Sequence, residues 1–180
     1  MDSRGQDQAA LRADGSGSRR NEGAASPEAG AEPSRGAAQR LAERVRDGMA
    51  AQDRVLHAMA MRVEAVGPGF ARLSMQVRDD MLNGFGICHG GIIATLGDTA
   101  FAYACNSRNA LTVASGLTVD YVSPGRAGER LVAEAHEVAL AGRSGLYDVR
   151  VTGADGRLVA SLRGRSHRSG DRTVVPDGDA

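Results

Sequence analysis

The sequence predicts an α+β protein in which an antiparallel sheet of about six strands wraps around one central helix. Apolar and polar residues alternate in six short runs, several of them separated by turns that contain glycine or proline. Such turns favour hairpins between antiparallel strands. One longer segment, from Gly90 to about Asn106, is apolar on every side of a helical projection, and this pattern is typical of a buried helix.

The first 36 residues differ from the rest of the chain in composition. Only Met1 and Leu11 are large and apolar in this stretch, which is otherwise rich in Gly, Ala and Ser. Such a segment cannot bury enough surface to offset the entropy lost on ordering, so we predict a disordered tail over residues 1–36. A single domain is predicted over residues 37–170, with a flexible C-terminal tail over residues 171–180.

The domain is predicted to begin with an amphipathic helix and a hairpin. Leu41, Val45 and Met49 recur at four-residue intervals, as on one face of a helix that runs from Ala37 to about Ala58. Alternation then predicts strands at about 61–65 and 71–77, joined by a Gly-Pro-Gly turn. After the central helix, further strands are predicted at 116–122, 130–140, 146–152 and 158–167. We expect hairpin connections throughout.

The central helix contains one charged residue, Asp98. A helix that is apolar all round is predicted to be buried all round. It is too short to span a membrane, so other parts of the protein must cover it. The N-terminal segment also lacks the apolar core of a secretory signal. These features predict a cytoplasmic protein without a membrane partner.

Composition excludes several chemistries. The 22 basic side chains are all arginine, because the chain has no lysine. Schiff-base enzymes, P-loop nucleotidases and pyridoxal enzymes each need a lysine. The 22 acidic residues balance the arginines, so charge does not indicate a nucleic-acid partner. Cys88 and Cys105 lack the paired spacing of a zinc site, and we expect reduced core thiols and no metal.

Asp98 is the first candidate for chemistry. Burying a carboxylate costs several kcal/mol unless it is paired, solvated at a pocket or functional. No other charged residue lies between Asp80 and Arg108, so the helix itself offers no ion-pair partner. Two interpretations stay open: a structural acid, bonded to Thr95 or Thr99 or paired across a subunit contact, and a catalytic acid.

His89, Gly90 and Gly91 precede the helix and form the second candidate. Two glycines allow a ligand to approach the backbone, and free N–H groups at a helix N-terminus can hold a developing oxyanion. The alternative is a flexible loop whose histidine caps the helix. Asp98 lies eight residues beyond Gly90, about 12 Å along a helix axis. If both act on one substrate they must come from two subunits, as in a two-fold dimer with antiparallel central helices.

The motifs around these residues resemble a known family. Residues 81–84 (MLNG), 88–91 (CHGG) and 98–107 (DTAFAYACNS) are similar to the hot-dog-fold acyl-CoA thioesterases of the phenylacetate degradation pathway, the PaaI type. The likeness covers about residues 37–170 and continues through segments 119–121, 124–125, 145–148 and 164–168. It implies a helix wrapped by an antiparallel sheet, dimers whose sheets join edge to edge, and commonly a dimer of dimers.

The resemblance also implies roles for individual residues. Asp98 matches the catalytic carboxylate, which acts as general base on water or as nucleophile through a mixed anhydride. Gly90 matches the glycine whose N–H polarises the thioester carbonyl from the other subunit. Asn83 and His89 match polar residues that position the thioester or the water, and Thr99 is expected to contact Asp98. No metal or redox cofactor is implied.

The implied reaction is hydrolysis of phenylacetyl-CoA and its ring-hydroxylated relatives to free acid and coenzyme A. Two alternatives remain: a thioesterase for other aromatic or medium-chain acyl-CoA esters, and a hot-dog module that binds acyl-CoA without hydrolysing it. Because the chain lacks lysine, the coenzyme A phosphates must meet arginine or histidine among the basic side chains. The candidates by position are Arg126, Arg143, Arg165 and Arg168, each of which could equally be a solvated surface residue.

Overall fold

The structure, a computed structural model, describes residues 34–176. It confirms the predicted class, because six antiparallel strands form one sheet and a long helix packs against it. No helix within the described range is long and apolar enough to cross a membrane. The elements are α1 (Arg35–Gln52), α2 (Arg54–Ala58), β1 (Arg62–Gly67), β2 (Phe70–Gln76), α3 (Gly90–Asn106), β3 (Ala110–Tyr121), β4 (Arg130–Ala141), β5 (Ser144–Thr152) and β6 (Leu158–Thr173).

The predicted first helix is two helices in the structure. α1 begins at Arg35, because the Ser34 hydroxyl accepts the N–H of Ala37 at 3.3 Å and caps the first turn. The helix ends before Asp53, whose carboxylate accepts two N–H groups of the following turn, at 3.1 and 2.9 Å. An aspartate that caps a helix takes a non-helical backbone conformation. Asp53 therefore interrupts the helix that the apolar periodicity predicted to continue.

The predicted domain boundaries also differ from the observed ones. Residues 1–33 of the predicted tail lie outside the described residues, and α1 includes two residues that the prediction assigned to that tail. At the other end, β6 runs to Thr173. Asn109 then accepts the N–H groups of Val174 and Val175 at 3.1 and 2.9 Å. The first residues of the predicted C-terminal tail are therefore bonded to the domain, and residues 177–180 lie outside the described range.

The strand order is β1-β2-β4-β5-β6-β3, and every pair is antiparallel. Hairpins join β1 to β2, β4 to β5 and β5 to β6, as predicted. The prediction of hairpins throughout is wrong for β3, which pairs with β6 at the sheet edge. Its link to β4, residues 122–129, is longer than a tight turn. This length lets β4 pair with β2 instead.

β3 begins six residues before its predicted start, because a buried side-chain amide holds the backbone of its first residues. The Asn106 side chain accepts the Thr112 N–H and donates to the Thr112 carbonyl, each at 2.9 Å. The Thr112 N–H and carbonyl thus bond to a side chain in the way that they would otherwise bond to a neighbouring strand. No alternation of apolar residues signals such a contact.

The sheet covers α3 closely but from one side only. A Cβ at Gly97 would stand 2.6 Å from a Leu162 methyl group, and one at Gly164 would stand 3.0 Å from the Phe101 ring. Glycine therefore lets helix and sheet approach each other. The opposite face of α3, formed by Gly91, Thr95, Asp98 and Ala102, remains partly or fully open to solvent in the protomer. The prediction that the helix is buried all round is thus wrong for a single chain, because one sheet can cover only one face.

An almost buried ion pair holds the link between β3 and β4. The Arg157 guanidinium contacts both oxygens of Glu129 at 2.8 and 3.0 Å. It also donates to the Ser123 hydroxyl at 2.6 Å and to the Pro124 carbonyl at 2.8 Å. The Glu129 side chain is 8% exposed. Removal of Arg157 would therefore leave the nearly buried Glu129 carboxylate without its cation, while the Arg126 N–H still donates to it at 2.8 Å.

We expect Arg157→Met to lower the free energy of unfolding by about 3–5 kcal/mol, the usual cost of breaking a buried pair. Arg163→Met is a matched control, because Arg163 makes a similar two-point contact with Asp148 at 2.8 and 3.0 Å. Both side chains of that pair are about half exposed, and such pairs contribute at most about 1 kcal/mol. Urea titration of the two variants measures both losses. Equal losses would contradict the role given to burial.

Candidate active site

A cleft of about 420 Å³ opens beside the first turn of α3. Its walls include Asn83, Gly90 and Tyr121, together with the apolar side chains of Ile87 and Ile93. The cleft therefore offers a few polar groups within a mainly apolar surface. This combination is typical of a pocket that binds a small organic ligand.

The loop before α3 is pinned to the rest of the domain by backbone hydrogen bonds. The Cys88 N–H donates to the Gly125 carbonyl and the His89 N–H donates to the Met81 carbonyl, each at 2.9 Å. The bond between His89 and Met81 closes the two ends of the loop, and the bond to Gly125 fixes the loop to the rest of the domain. The residues between Met81 and His89 therefore have a defined position next to the helix. The glycine-rich segment is thus an ordered wall of the cleft.

Asn83 shapes this loop with its side-chain oxygen. The oxygen accepts the N–H of Phe85 at 2.9 Å and that of Ile87 at 3.4 Å. The amide NH₂ group has no partner among residues 34–176. Asn83 therefore keeps a free hydrogen-bond donor at the cleft wall.

Gly90 is the first residue of α3, and its N–H has no helical acceptor. None of the residues that the structure describes accepts it either. The Gly90 carbonyl accepts the hydroxyl of Tyr121 at 2.8 Å. Tyr121 was not identified from the sequence, because the two residues are separated by 31 positions and alternation marks Tyr121 only as part of a strand. The helix dipole makes the free N–H suited to a carbonyl that develops negative charge.

His89 is the N-cap of α3. Its Nδ1 accepts the Gly91 N–H at 3.1 Å, and its side chain is otherwise exposed. A ring nitrogen that accepts a hydrogen bond carries no proton, so the proton of the neutral ring is on Nε2. The capping role expected in one interpretation is therefore present, and it leaves Nε2 as the donor of the exposed ring.

Asp98 lies on the open face of α3, eight residues beyond Gly90. No residue between 34 and 176 donates a hydrogen bond to it or pairs with it. Neighbouring protein atoms nevertheless remove part of its hydration and raise the pKa of its carboxyl above the ordinary value. Eight residues of helix at the usual rise place the acid about 12 Å from its own Gly90 N–H. The two candidate groups of one chain thus cannot contact the same carbonyl.

Thr95 and Thr99 do not bond to Asp98. The Thr95 hydroxyl donates to the Gly91 carbonyl, and the Thr99 hydroxyl donates to the Thr95 carbonyl, each at 2.8 Å. Threonine within a helix commonly bonds back to the carbonyl four residues earlier. The expected contact of Thr99 with Asp98 is therefore wrong for this chain, as is the alternative in which a threonine satisfies a structural acid.

The two cysteines are buried and free. Burial raises the pKa of the Cys88 thiol to about 11 and that of Cys105 to about 12. Both thiols thus stay protonated near neutral pH and are poor nucleophiles. Within the described range, no three His, Cys, Asp or Glu side chains are close enough together to hold a metal ion.

The four candidate arginines lie at three different places, and none lines the cleft at Gly90. Arg143 and Arg168 share a cavity of about 240 Å³, where Arg143 Nε donates to the Arg168 carbonyl at 3.2 Å. Arg165 lines a separate cavity of about 280 Å³. Arg126 comes two residues after Pro124 of the cleft wall, and its guanidinium is 3.6 Å from the Asp155 carboxylate.

Comparison with known proteins places this geometry in a family. Residues 85–160 match the model of the thioesterase superfamily. The acyl-coenzyme A thioesterase PaaI of Escherichia coli is 42% identical over 118 residues, which cover 66% of this chain and 84% of that protein. The solved PaaI protein from the E. coli phenylacetic acid degradation operon superposes with a TM-score of 0.73 and 38% identity, over 74% of this chain and 97% of that one.

A Streptococcus mutans protein solved with acetyl-CoA bound is more distant, with a TM-score of 0.60 and 25% identity over 63% of this chain and 91% of that one. The range that matches the thioesterase superfamily model includes the whole of α3. The chain therefore belongs to the PaaI-type acyl-CoA thioesterases, a family of thioester hydrolases with the hot-dog fold.

Proposed function

We propose that this thioesterase hydrolyses phenylacetyl-CoA and ring-hydroxylated phenylacetyl-CoA esters. The observation that carries the proposal is the arrangement along α3, with a free Gly90 N–H at its start and an unpaired Asp98 on its open face. An oxyanion donor and a carboxylate are the two groups that thioester hydrolysis needs. The acyl group is proposed from the similarity to PaaI, which belongs to a phenylacetic acid degradation operon.

The proposal requires a dimer with shared active sites. The open face of α3 is unpaired in the protomer, and β3 lies at the edge of the sheet. An edge strand presents free backbone groups to a second chain. A two-fold axis that pairs β3 with β3 and sets the α3 helices antiparallel would bring Asp98 of the partner subunit to the Gly90 cleft. Two equal sites result, and two such dimers form the proposed tetramer.

Each group has a defined task in this proposal. The Gly90 N–H donates to the thioester oxygen, while the Asn83 amide and His89 Nε2 orient the thioester or the water. Asp98 of the partner subunit takes a proton from the attacking water, or attacks the carbonyl itself to form a mixed anhydride that water then opens. The products are the free acid and coenzyme A. The thiol is a good leaving group, so this scheme uses no metal or cofactor.

The coenzyme A part of the substrate must also be bound. In the proposal, the coenzyme A phosphates bind to arginine. Three sites are candidates: Arg126, the pair formed by Arg143 and Arg168, and Arg165. Arginine suits this task because its planar guanidinium donates two hydrogen bonds to one phosphate. A cytoplasmic location, where acyl-CoA esters occur, completes the proposal.

A panel of acyl-CoA esters tests the substrate. We expect kcat/KM for phenylacetyl-CoA and hydroxyphenylacetyl-CoA to exceed that for hexanoyl-CoA and acetyl-CoA by about tenfold or more, because a pocket of matched shape gains about 1–3 kcal/mol on a well-fitted group. Release of free thiol is the readout, and the buried Cys88 and Cys105 add little background. A preference for medium-chain esters would replace the proposed substrate. Binding without thiol release from any ester would indicate an acyl-CoA-binding module.

A further inference from the structure

Tyr121 ends β3 and contacts the first residue of α3 in two ways. Its hydroxyl donates to the Gly90 carbonyl at 2.8 Å. Its ring lies against the Gly90 Cα, where an added Cβ would stand 3.0 and 3.3 Å from two ring carbons and 3.2 Å from the hydroxyl oxygen. The tyrosine and the glycine are therefore fitted to each other, and the strand end is joined to the helix start.

The peptide between Gly90 and Gly91 links Tyr121 to His89. Its carbonyl accepts the Tyr121 hydroxyl at 2.8 Å, and its N–H donates to His89 Nδ1 at 3.1 Å. A hydrogen bond to the oxygen of a peptide polarises the group and strengthens its N–H as a donor. Hydroxyl, peptide and imidazole thus form one chain of hydrogen bonds that all point the same way.

This chain determines which nitrogen of His89 carries the proton. As long as Nδ1 accepts from Gly91, the neutral ring is protonated on Nε2, and its donor points away from the helix end. If the contact with Gly91 weakens, the ring can rotate or exchange the proton between its two nitrogens. The Nε2 donor of His89 is then present for only part of the time.

We propose that Tyr121 is a positioning residue, which holds His89 in the Nε2-protonated form through the peptide between Gly90 and Gly91. The inference rests on the proposed function, in which His89 Nε2 orients the thioester or the water. Tyr121 does not contact the reacting atoms in this role. A purely structural alternative is that Tyr121 only packs the end of an edge strand, which would affect stability and subunit association but not the histidine.

Tyr121→Phe removes the hydroxyl and keeps the ring that packs on Gly90. We expect kcat to fall about three- to tenfold with KM changed less than about twofold, since one hydrogen bond contributes about 0.5–1.5 kcal/mol. In ¹⁵N NMR of the free enzyme, the chemical shifts of the two His89 ring nitrogens should become more similar to each other. The chemical shift of the Gly91 amide should also change. This NMR measurement does not depend on any substrate.

Tyr103→Phe is the matched control. It makes the same chemical change within α3, and its buried hydroxyl has no partner among the described residues. The control should leave kcat and the His89 nitrogen signals unchanged. In a His89→Asn background, where a capping side chain is retained, Tyr121→Phe should lower kcat no further.

Three results would overturn the inference: unchanged His89 nitrogen signals in Tyr121→Phe, an unchanged kcat, or the same fall in kcat with and without His89. If the wild-type enzyme releases no thiol from any ester of the panel, the proposed function fails. The NMR signals then decide by themselves whether Tyr121 controls the histidine.

Discussion

Asp98→Asn should lower kcat by about 10²- to 10⁴-fold, the range expected when a general base or nucleophile is lost. Asparagine keeps the size of the side chain but can neither accept the proton of water nor form an anhydride. KM should change little, because the carboxylate acts on the water and not on the carrier. Steady-state kinetics of the purified variant on the best ester of the panel measures both parameters. A kcat within threefold of the wild-type value would refute the role of Asp98.

Stability provides the control for this variant. Burial raises the pKa of the Asp98 carboxyl, so the folded protein binds its proton more tightly than the unfolded chain does. Ionised Asp98 therefore disfavours folding, and this cost develops as the pH rises from the ordinary pKa through the raised one. Asparagine carries no charge at any pH. Asp98→Asn should unfold at the same or a higher urea concentration than the wild type at pH 7, as is common when a catalytic group is removed.

The same shift predicts a pH dependence. The carboxylate must be ionised to act, so wild-type kcat should fall as the pH is lowered through the raised pKa of Asp98. The decline should therefore begin at a higher pH than an ordinary aspartate would give. Contact with a second subunit would remove more water and move the decline further in that direction. The residual kcat of Asp98→Asn should not show this decline at low pH.

The central helix could be predicted from sequence almost to the residue. A continuous apolar segment bounded by two glycines and by a polar Asn106 leaves few alternatives, and α3 spans Gly90–Asn106 as expected. The candidate groups on it followed from the same pattern. Asp98 was recognisable because it is the one charge in this segment, and Gly90 because helix starts expose N–H groups.

The features that sequence did not predict depend on contacts between distant residues. The early start of β3 depends on a buried Asn106 amide, and the long β6 depends on its pairing with β3. The role proposed for Tyr121 depends on its hydroxyl, which bonds to a carbonyl 31 positions earlier in the chain. Periodicity describes how a segment meets water and the core, but it does not say which other segment supplies its hydrogen bonds.

Two inactive variants should restore activity to each other if the active site is shared. Gly90→Val places methyl groups against the Tyr121 ring, where even a Cβ would be 3.0 Å from the nearest ring atom. Either the Tyr121 ring or the first turn of α3 must then give way, and a shift of the turn displaces the oxyanion donor. Loss of one such donor lowers kcat about 10²- to 10³-fold. The Asp98→Asn chain has the opposite defect, since its donor is intact and its acid is missing.

In a hybrid dimer of these chains, one site combines the valine with the asparagine and is inactive. The other site combines the intact Gly90 of the Asp98→Asn chain with the intact Asp98 of the Gly90→Val chain. Random pairing of equal amounts makes about half of the dimers hybrids, so about a quarter of all sites should be complete, as the two-fold symmetry requires. Activity should therefore rise from below about 1% to about 25% of the wild-type value.

The control for this experiment mixes Asp98→Asn with Asp98→Ala, which leaves every site without an acid and should restore nothing. Hybrids are verified by co-expression with two affinity tags and sequential purification. If verified hybrids of the first pair remain inactive, the two groups do not meet across a subunit contact. Since about 12 Å of helix separates them within one chain, such a result would also exclude joint action of Gly90 and Asp98 on one thioester. Recovery near a quarter would place the acid and the oxyanion donor in different subunits, without any assumption about which acyl group the enzyme prefers.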